Sequence, residues 1–357
     1  MPQVSSVDTT VESFSKVRKT ISKLLPANED AATTIPICAH GPALKFNRID
    51  KSSGLSREFY ACSANRDRKI CPLFHWVEDW ERKLKRGGKI HDNLADDESR
   101  RAKKSKPDEE LGVSALVDNE SNAQYLFDKS TVQTLLTLIK PVIVPDRPVL
   151  CIGAPLIHAA LLRENIDSYL LDEDERLCSI HANTFRFNMF NGTFYTETLK
   201  QDNFCLIVSD PPFHPELLPA MFGTIERLFP VSFAASPIMF AFPYFNIKAV
   251  QDAMPRLERT DIRLTYRNHK KYTSGEQTPV RLFVANMPIV PAGSHQLCVP
   301  CNRVVHKANH HCELCNACTT IAGPVAYIHC KDCKKCVKPK SIHCKICKRC
   351  HVGPHRD

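Results

Sequence analysis

The sequence lacks an apolar run fit to cross a membrane: its longest, Phe229 to Ile247, is broken by Pro230, Pro237 and Pro243 and carries serines and Asn246. A spanning helix needs about 20 uninterrupted apolar residues, so buried strand plus turns is expected there and no membrane partner is expected. The opening, MPQVSSVDTT, lacks the charged start and apolar stretch of a secretory leader. A reducing compartment is therefore expected, with thiolates on metal rather than in disulfides. Also absent after the first apolar strand is G-x-G-x-x-G, since Gly153 is followed by Ala154 and Pro155. One glycine cannot wrap a pyrophosphate with successive backbone amides, which argues against NAD or ATP.

What is present divides the chain. At 357 residues and 43% hydrophobic content it has room for two or three domains and at least one sizeable core. Of its seventeen cysteines, three lie in 38–71, three stand at 151, 178 and 205, and eleven crowd into 298–350. The middle three lack ligand spacing and are expected as core thiols. Glu81 to Glu110 mixes both charge signs with few large apolar residues, the composition of a linker. The expected domains are 36–80, a linker 81–110, 111–292 and 293–357. The net charge of +9 is concentrated at the end, where residues 330–357 hold nine Lys and Arg against Asp332 and Asp357. Beside a cysteine-rich module, such an excess favours a polyanionic partner.

Residues 121–291 alternate helix and strand signals. Ser130 is the expected cap of a helix ending at Pro141, and Val149–Gly153 reads as a buried strand. A helix around LIHAALLREN, a strand at Tyr169–Asp172 and a second helix over Glu175–Ala182 follow. Then come strand Phe204–Val208, helix PELLPAMFGTIERLF, strand PIMFAF, helix NIKAVQDAM and strands near 262–267 and 280–285. Repeated strand, helix, strand predicts a parallel α/β sheet with helices on both faces and a ligand crevice at the strands' carboxyl ends.

Three strand ends should converge on that crevice: Gly153, Asp172 and Asp210-Pro211-Pro212-Phe213. Asp172 lies 19 residues beyond Gly153, near the spacing at which an acid accepts hydrogen bonds from a ribose. S-adenosylmethionine has a ribose and no phosphate, so one close-approach glycine and one acid suit it. The tetrapeptide Asp210–Phe213 matches the [D/N]-P-P-[Y/F/W] motif of amino methyltransferases that act on adenine N6, cytosine N4 or glutamine. The chemistry accounts for the residue types. An adenine N6 lone pair is delocalised into the ring until acceptors draw its protons out of plane, and the Asp210 carboxylate and Pro211 carbonyl suit that task. Pro211 and Pro212 stiffen the turn, and Phe213 offers a face for a flipped or single-stranded base. Asn122-Ala123-Gln124-Tyr125-Leu126-Phe127 resembles an element that N6-adenine methyltransferases place over the cofactor. The resemblance implies Gln124, Tyr125 and Phe127 as pocket residues beside Gly153, Asp172 and Asp210; an aromatic staple before a helix is the plainer alternative.

Cys38, His40, Cys62 and Cys71 can close a tetrahedron around zinc. With Tyr60, Phe74 and Trp76 nearby they look like a GRF-type finger, a module for single-stranded nucleic acid. These aromatics are candidate stacking faces, and Lys45, Arg48, Arg57, Arg66 and Arg68 candidate phosphate contacts. At the other end, Cys298-x2-Cys301-x9-His311-Cys312-x2-Cys315-x2-Cys318 recurs 32 residues later as Cys330-x2-Cys333-x9-His343-Cys344-x2-Cys347-x2-Cys350. With His329 and Cys336, the units interlock into three Cys3His sets. They are Cys298, Cys301, His311, Cys318; Cys312, Cys315, His329, Cys336; and Cys330, Cys333, His343, Cys350. Cys344 and Cys347 are left with His351 or His355 as candidate partners. Closed sets of this kind suit structural zinc. The spacing is also similar to that of protein acyltransferases, but D-H-H-C and membrane spans are missing.

From about residue 36 onward, this order of finger, D-P-P-F domain and Cys/His array is similar to the rRNA adenine N6-methyltransferases of the zinc finger CCHC domain-containing protein 4 family. The resemblance implies a Rossmann-like class I methyltransferase fold, S-adenosylmethionine and structural zinc as cofactors, large-subunit rRNA as partner, and a nuclear or nucleolar setting with the cytoplasm second. The C-x2-C-x4-H-x4-C knuckle that names the family does not occur in this sequence. Two other readings stay open here. One is a nucleic-acid-binding zinc protein on an inactive methyltransferase scaffold; the other is a methyltransferase acting on DNA adenine or on glutamine.

Overall fold

The computed structural model describes residues 34–49, 54–65, 67–87, 108, 110–112, 124–269, 278–287, 295–301, 303–319 and 327–353. Arg66, Asn122, Ala123, His355 and most of the expected linker lie outside them. The amino-terminal module pairs β1 (Ile37–Cys38) with β2 (Gly41–Pro42), then forms an antiparallel sheet of β3 (Leu44–Ile49), β4 (Ser56–Ala61) and β5 (Phe74–Trp76). Helix α1 (Val77–Lys85) follows directly and runs past the boundary expected at residue 80. It is held by buried Trp80, whose Nε1 donates to the Thr34 carbonyl at 2.6 Å.

The central unit starts with α2 (Lys129–Ile139), β6 (Val149–Ile152), α3 (Pro155–Arg163), β7 (Ser168–Asp172), β8 (Thr184–Asn188), β9 (Thr193–Phe194) and β10 (Leu206–Ser209). It continues with α4 (Leu218–Leu228), α5 (Pro230–Ala235), β11 (Ile238–Pro243), α6 (Ile247–Ala253), β12 (Glu258–Arg263) and β13 (Val280–Ala285). The strands form one sheet in the order β12-β13-β11-β10-β6-β7-β8-β9. Strand side chains alternate between faces, and the two cores follow that period. Leu150 and Ile152 of β6 pack with α4 and α6, whereas Val149 and Cys151 pack with α2 and α3. Sheet order reverses at β6, which lies between β7 and β10, so a crevice opens where the carboxyl ends of β6 and β10 diverge.

The fold is the expected α/β, Rossmann-like class, with four local differences. The sheet is mixed: β13 runs antiparallel to both β11 and β12, and β9 to β8. Parallel pairing needs a long crossover, and no helix is found among the described residues between β12 and β13. The cap of α2 is Asp128 rather than Ser130. The Asp128 carboxylate accepts from the Thr131 N–H at 2.7 Å and complements the helix dipole, while Ser130 donates its hydroxyl to the same oxygen. The helix expected over 175–182 is a 3-10 turn, Glu175–Ser179, because the chain must reach Thr184 in time to pair with Leu170. Cys151 and Cys205 are buried as expected, but Cys178 is exposed on that turn.

Both zinc modules dock on this sheet. Leu44 and Phe46 of β3 enter the core beside Phe187. The Asn188 and Asn191 side-chain amides donate to the His40 carbonyl at 3.0 and 2.9 Å. Gly41 (φ +92°) is required at this contact, since a Cβ would fall 2.0 Å from Thr193 Oγ1. The carboxy-terminal array is four two-stranded hairpins, the first of which lies along β12. There the Asn309 amide donates to Asp261 Oδ2 at 3.3 Å.

Candidate active site and zinc clusters

Three strand ends meet as the sequence predicts. Gly153 closes β6 with a positive φ of +64°, and a Cβ there would stand 2.9 Å from the Asp210 carbonyl oxygen and 3.0 Å from Met189 Cε. Glycine thus lets the β6 turn lie against the Asp210-Pro211-Pro212-Phe213 turn, which the Asp210 N–H bonds to the Ile152 carbonyl at 3.1 Å. Asp172, at the end of the adjoining β7, receives the Asp174 N–H on Oδ1 at 2.9 Å. Both carboxylates are half-buried. Burial pushes Asp172 up to about 7, with the Asp174 and Glu173 charges adding to the rise and backbone N–H bonds opposing it. Asp210 is also raised well above the usual carboxylate range, by burial first and the Asp172 charge last, against a hydrogen bond from Tyr266.

That hydrogen bond comes from a residue the sequence reading did not single out. Tyr266 is fully buried just after β12, and its hydroxyl donates to Asp210 Oδ1 at 2.8 Å. Its ring stacks on Phe127 at 4.9 Å and 27°, and meets Tyr125 and Phe213 edge-on at 6.3 and 6.2 Å. Phe127, Tyr125 and the D-P-P-F turn are therefore brought together through one phenol. Gln124 joins through its carbonyl, which accepts from the Asn268 side chain at 2.7 Å. Phe213 is half-buried against Phe242, Pro211 is buried and Pro212 stands exposed at the rim. No described residue donates to the Pro211 carbonyl.

The residues fit S-adenosylmethionine: a half-buried acid beside a glycine turn suits a ribose, and a second carboxylate nearby suits a cation. The zinc sets also assemble. In Cys38, His40, Cys62, Cys71 and in each of the three carboxy-terminal Cys3His sets, the ligand atoms all lie within 4.8 Å of one another. A zinc tetrahedron with bonds of about 2.0–2.3 Å has edges of about 3.5–3.8 Å. Cys298 Sγ to His311 Nδ1 is 3.8 Å, Cys312 to His329 3.6 Å, Cys315 to Cys336 3.6 Å and Cys333 to Cys350 3.5 Å. His40 Nε2 lies 2.9 Å from the Asn65 side-chain amide, which orients the ring. Cys344 and Cys347 form the same turn as two completed knuckles. Lys348 (φ +56°) repeats the left-handed Asn316 (φ +46°) and Lys334 (φ +51°), and His351 Nε2 stands 2.8 Å from Cys347 Sγ.

Of the two readings of the finger's aromatics, packed or open for stacking, Phe74 and Trp76 take the packed one. Phe59, Phe74 and Trp76 pack on one another, with Arg57 4.0 Å above Trp76 and Arg68 3.7 Å above Phe74. Lys45 is paired with Glu58 at 3.1 Å, and Arg48 is exposed.

A family described as probable N6-adenine methyltransferase matches residues 118–273, the segment that carries every part of this crevice. The human protein named rRNA N(6)-adenosine-methyltransferase ZCCHC4 is 30% identical over 380 residues, spanning 82% of this chain and 73% of its own length. This chain belongs to the ZCCHC4 family. The mouse member is 30% identical over 371 residues, covering 81% and 71% of the two chains, and that of Xenopus tropicalis 29% over 358, covering 78% and 73%. Among solved structures, a TehB-like SAM-dependent methyltransferase of Corynebacterium glutamicum aligns over 43% of this chain and 86% of its own at 13% identity and a TM-score of 0.30, and nothing rests on it. Alignments over four-fifths of this ZCCHC4 family member must include at least part of the zinc modules as well as the sheet.

Proposed function

We propose that this chain is an S-adenosylmethionine-dependent RNA adenine N6-methyltransferase acting on large-subunit rRNA. One observation carries the reading: the Asp210-Pro211-Pro212-Phe213 turn is locked against Gly153 at the sheet's crevice, with Asp172 on the neighbouring strand end. S-adenosylmethionine, when bound, supplies an electrophilic methyl carbon. Asp172 would accept its ribose hydroxyls, and Gly153, Gln124, Tyr125 and Phe127 would line its pocket. The Asp210 carboxylate and Pro211 carbonyl would accept hydrogen bonds from the two amine N–H groups and so free the nitrogen lone pair to form the new bond to the methyl carbon as its bond to sulfur breaks. Phe213 stacks the base, and Asp210, raised by burial, takes the proton the nitrogen gives up.

The four Cys3His sets hold structural zinc, with Cys344 and Cys347 offering a further partial set. The rRNA assignment draws on what the human and mouse relatives are named for, and it carries with it a nuclear or nucleolar setting, which imaging of a tagged chain tests. The N6-adenine family match favours adenine over glutamine as acceptor.

The test is to incubate the zinc-loaded chain with total RNA and tritiated methyl donor, then digest and separate the nucleosides. Label is expected in N6-methyladenosine from large-subunit rRNA, and Asp210→Ala should abolish it with zinc content unchanged. Absence of label from RNA N6-methyladenosine, or full activity in Asp210→Ala, would overturn the assignment.

A further inference from the structure

We infer that Tyr266 is a positioning residue for methyl transfer: by holding Asp210 Oδ1 it leaves the other carboxylate oxygen for the substrate amine, and it ties that orientation to the segment covering the cofactor site. The inference rests on the reading of Asp210 as the amine's acceptor.

The geometry gives Tyr266 little freedom. Its ring is flanked by Phe127, Tyr125 and Phe213, and its hydroxyl has one described partner, Asp210. A buried phenol hydroxyl is costly to leave unpaired, so this contact is held firmly. The backbone on either side is laced to residues 124–128. Arg267 N–H donates to the Leu126 carbonyl at 2.9 Å, Leu126 N–H to Asn268 Oδ1 at 2.8 Å, and Asp128 N–H to the Thr265 carbonyl at 3.0 Å. The Thr265 hydroxyl also donates to Asp128. Arg267 further anchors the strand by pairing with Glu110 at 2.6 Å. Movement of the 124–128 segment over the cofactor would therefore carry the phenol, and with it the Asp210 carboxylate.

No described residue donates to Asp210 Oδ2, so a carboxylate pinned through Oδ1 presents a single defined oxygen. The ionisable groups that act on Asp210 are Tyr266 and Asp172, in opposite senses. The phenol's donated bond favours the charged form, while burial and the Asp172 charge oppose it. An amine needs the charged form as acceptor, so the phenol also keeps Asp210 usable at lower pH.

Tyr266→Phe keeps the ring and removes the donor. With the full zinc-loaded chain and transcribed large-subunit rRNA, kcat is expected to fall about 10- to 100-fold, less than the roughly 100- to 1,000-fold lost with a preorganised donor that acts directly on the reacting atoms. KM for RNA and the donor's Kd should change less than about twofold, and the acid limb of the pH–kcat profile should move to higher pH, because the lost bond favoured the charged carboxylate. A wild-type kcat and pH profile in Tyr266→Phe, with Asp210→Asn inactive, would sink the role of Tyr266 and leave that of Asp210 standing. A loss seen wholly in KM would also sink it. Activity retained in Asp210→Asn would instead remove the reading on which the inference rests.

Discussion

The central sheet and the carboxy-terminal array are both regular, yet they are held by different forces. The sheet buries two large apolar clusters, one on each face, including Phe187, Phe204, Phe229, Phe240, Phe242 and Phe283. The array's own apolar cluster is Cys298, Val305 and Cys318 with Cys301 beside them, and three of those four are metal ligands. Val299, Leu314, Ile342 and Ile346 are exposed on its hairpins. A module with so little to bury cannot meet the entropy of ordering its backbone from packing alone, and bound zinc must offset it. The amino-terminal finger stands between them, with a Cys3His set on one side and β3 buried in the sheet's core on the other.

Removing metal should exaggerate this contrast most. A zinc site supplies on the order of 10 kcal/mol, so a strong chelator should make the array (295–352) protease-sensitive while the sheet keeps its cooperative melt. The finger should lose its zinc loops and retain β3 to β5. An array that stays protease-resistant without metal would end the comparison. Next in size is Gly153→Ala, which forces a positive φ on alanine and a Cβ against the Asp210 carbonyl. It should lower stability by about 1–3 kcal/mol in a denaturant melt and weaken donor binding, with zinc content untouched.

In the crevice, pH acts through Asp172. With Asp172 raised to about 7, the carboxyl is protonated below that pH, and ribose hydroxyls together with a cationic donor prefer its charged form. Donor affinity should therefore be full above pH 7 and fall about tenfold per unit as pH drops below it, as titration calorimetry would show. For folding the sign is opposite: burying this charge is unfavourable above pH 7, and its contribution improves as pH falls through 7 toward the unfolded value. An affinity flat from pH 6 to 8 would contradict the ribose role. The smallest effect is expected at the seam between the two regions. Asn309→Ala removes the contact to Asp261 and the acceptor of the Thr319 N–H, and should lower stability by about 1 kcal/mol, loosening the array by hydrogen exchange without changing the zinc count.

The zinc sets were legible because ligand spacing is local: Cys-x2-Cys fixes a knuckle within four residues, and a repeat tells which unit lends the histidine. The Asp210–Phe213 turn and its place beside Gly153 and Asp172 were legible too, since strand ends follow from apolar runs. Tyr266 was not, because a tyrosine after a weak edge strand gives no pattern; only the return of the chain past residues 124–127 brings it to Asp210. The cap of α2 was misplaced by two residues for a similar reason. Ser130 and Asp128 are both capping types, and the choice was settled by Thr265, which binds Asp128 from 137 residues away. Cys178 gave no sign of exposure, because a short turn and a helix read alike over five residues.

The sequence alone determined the chemistry available: which residues can bind zinc, which turn can present a carboxylate and a carbonyl, and which strands can be buried. Periodicity and spacing act over a few residues and so are written directly in the chain. Tertiary structure decided how those groups are aimed and charged. The phenol on Asp210, the raised pKa of the two carboxyl groups and the seating of both zinc modules arise from contacts between segments far apart in sequence, where burial and geometry exist only once the sheet has formed.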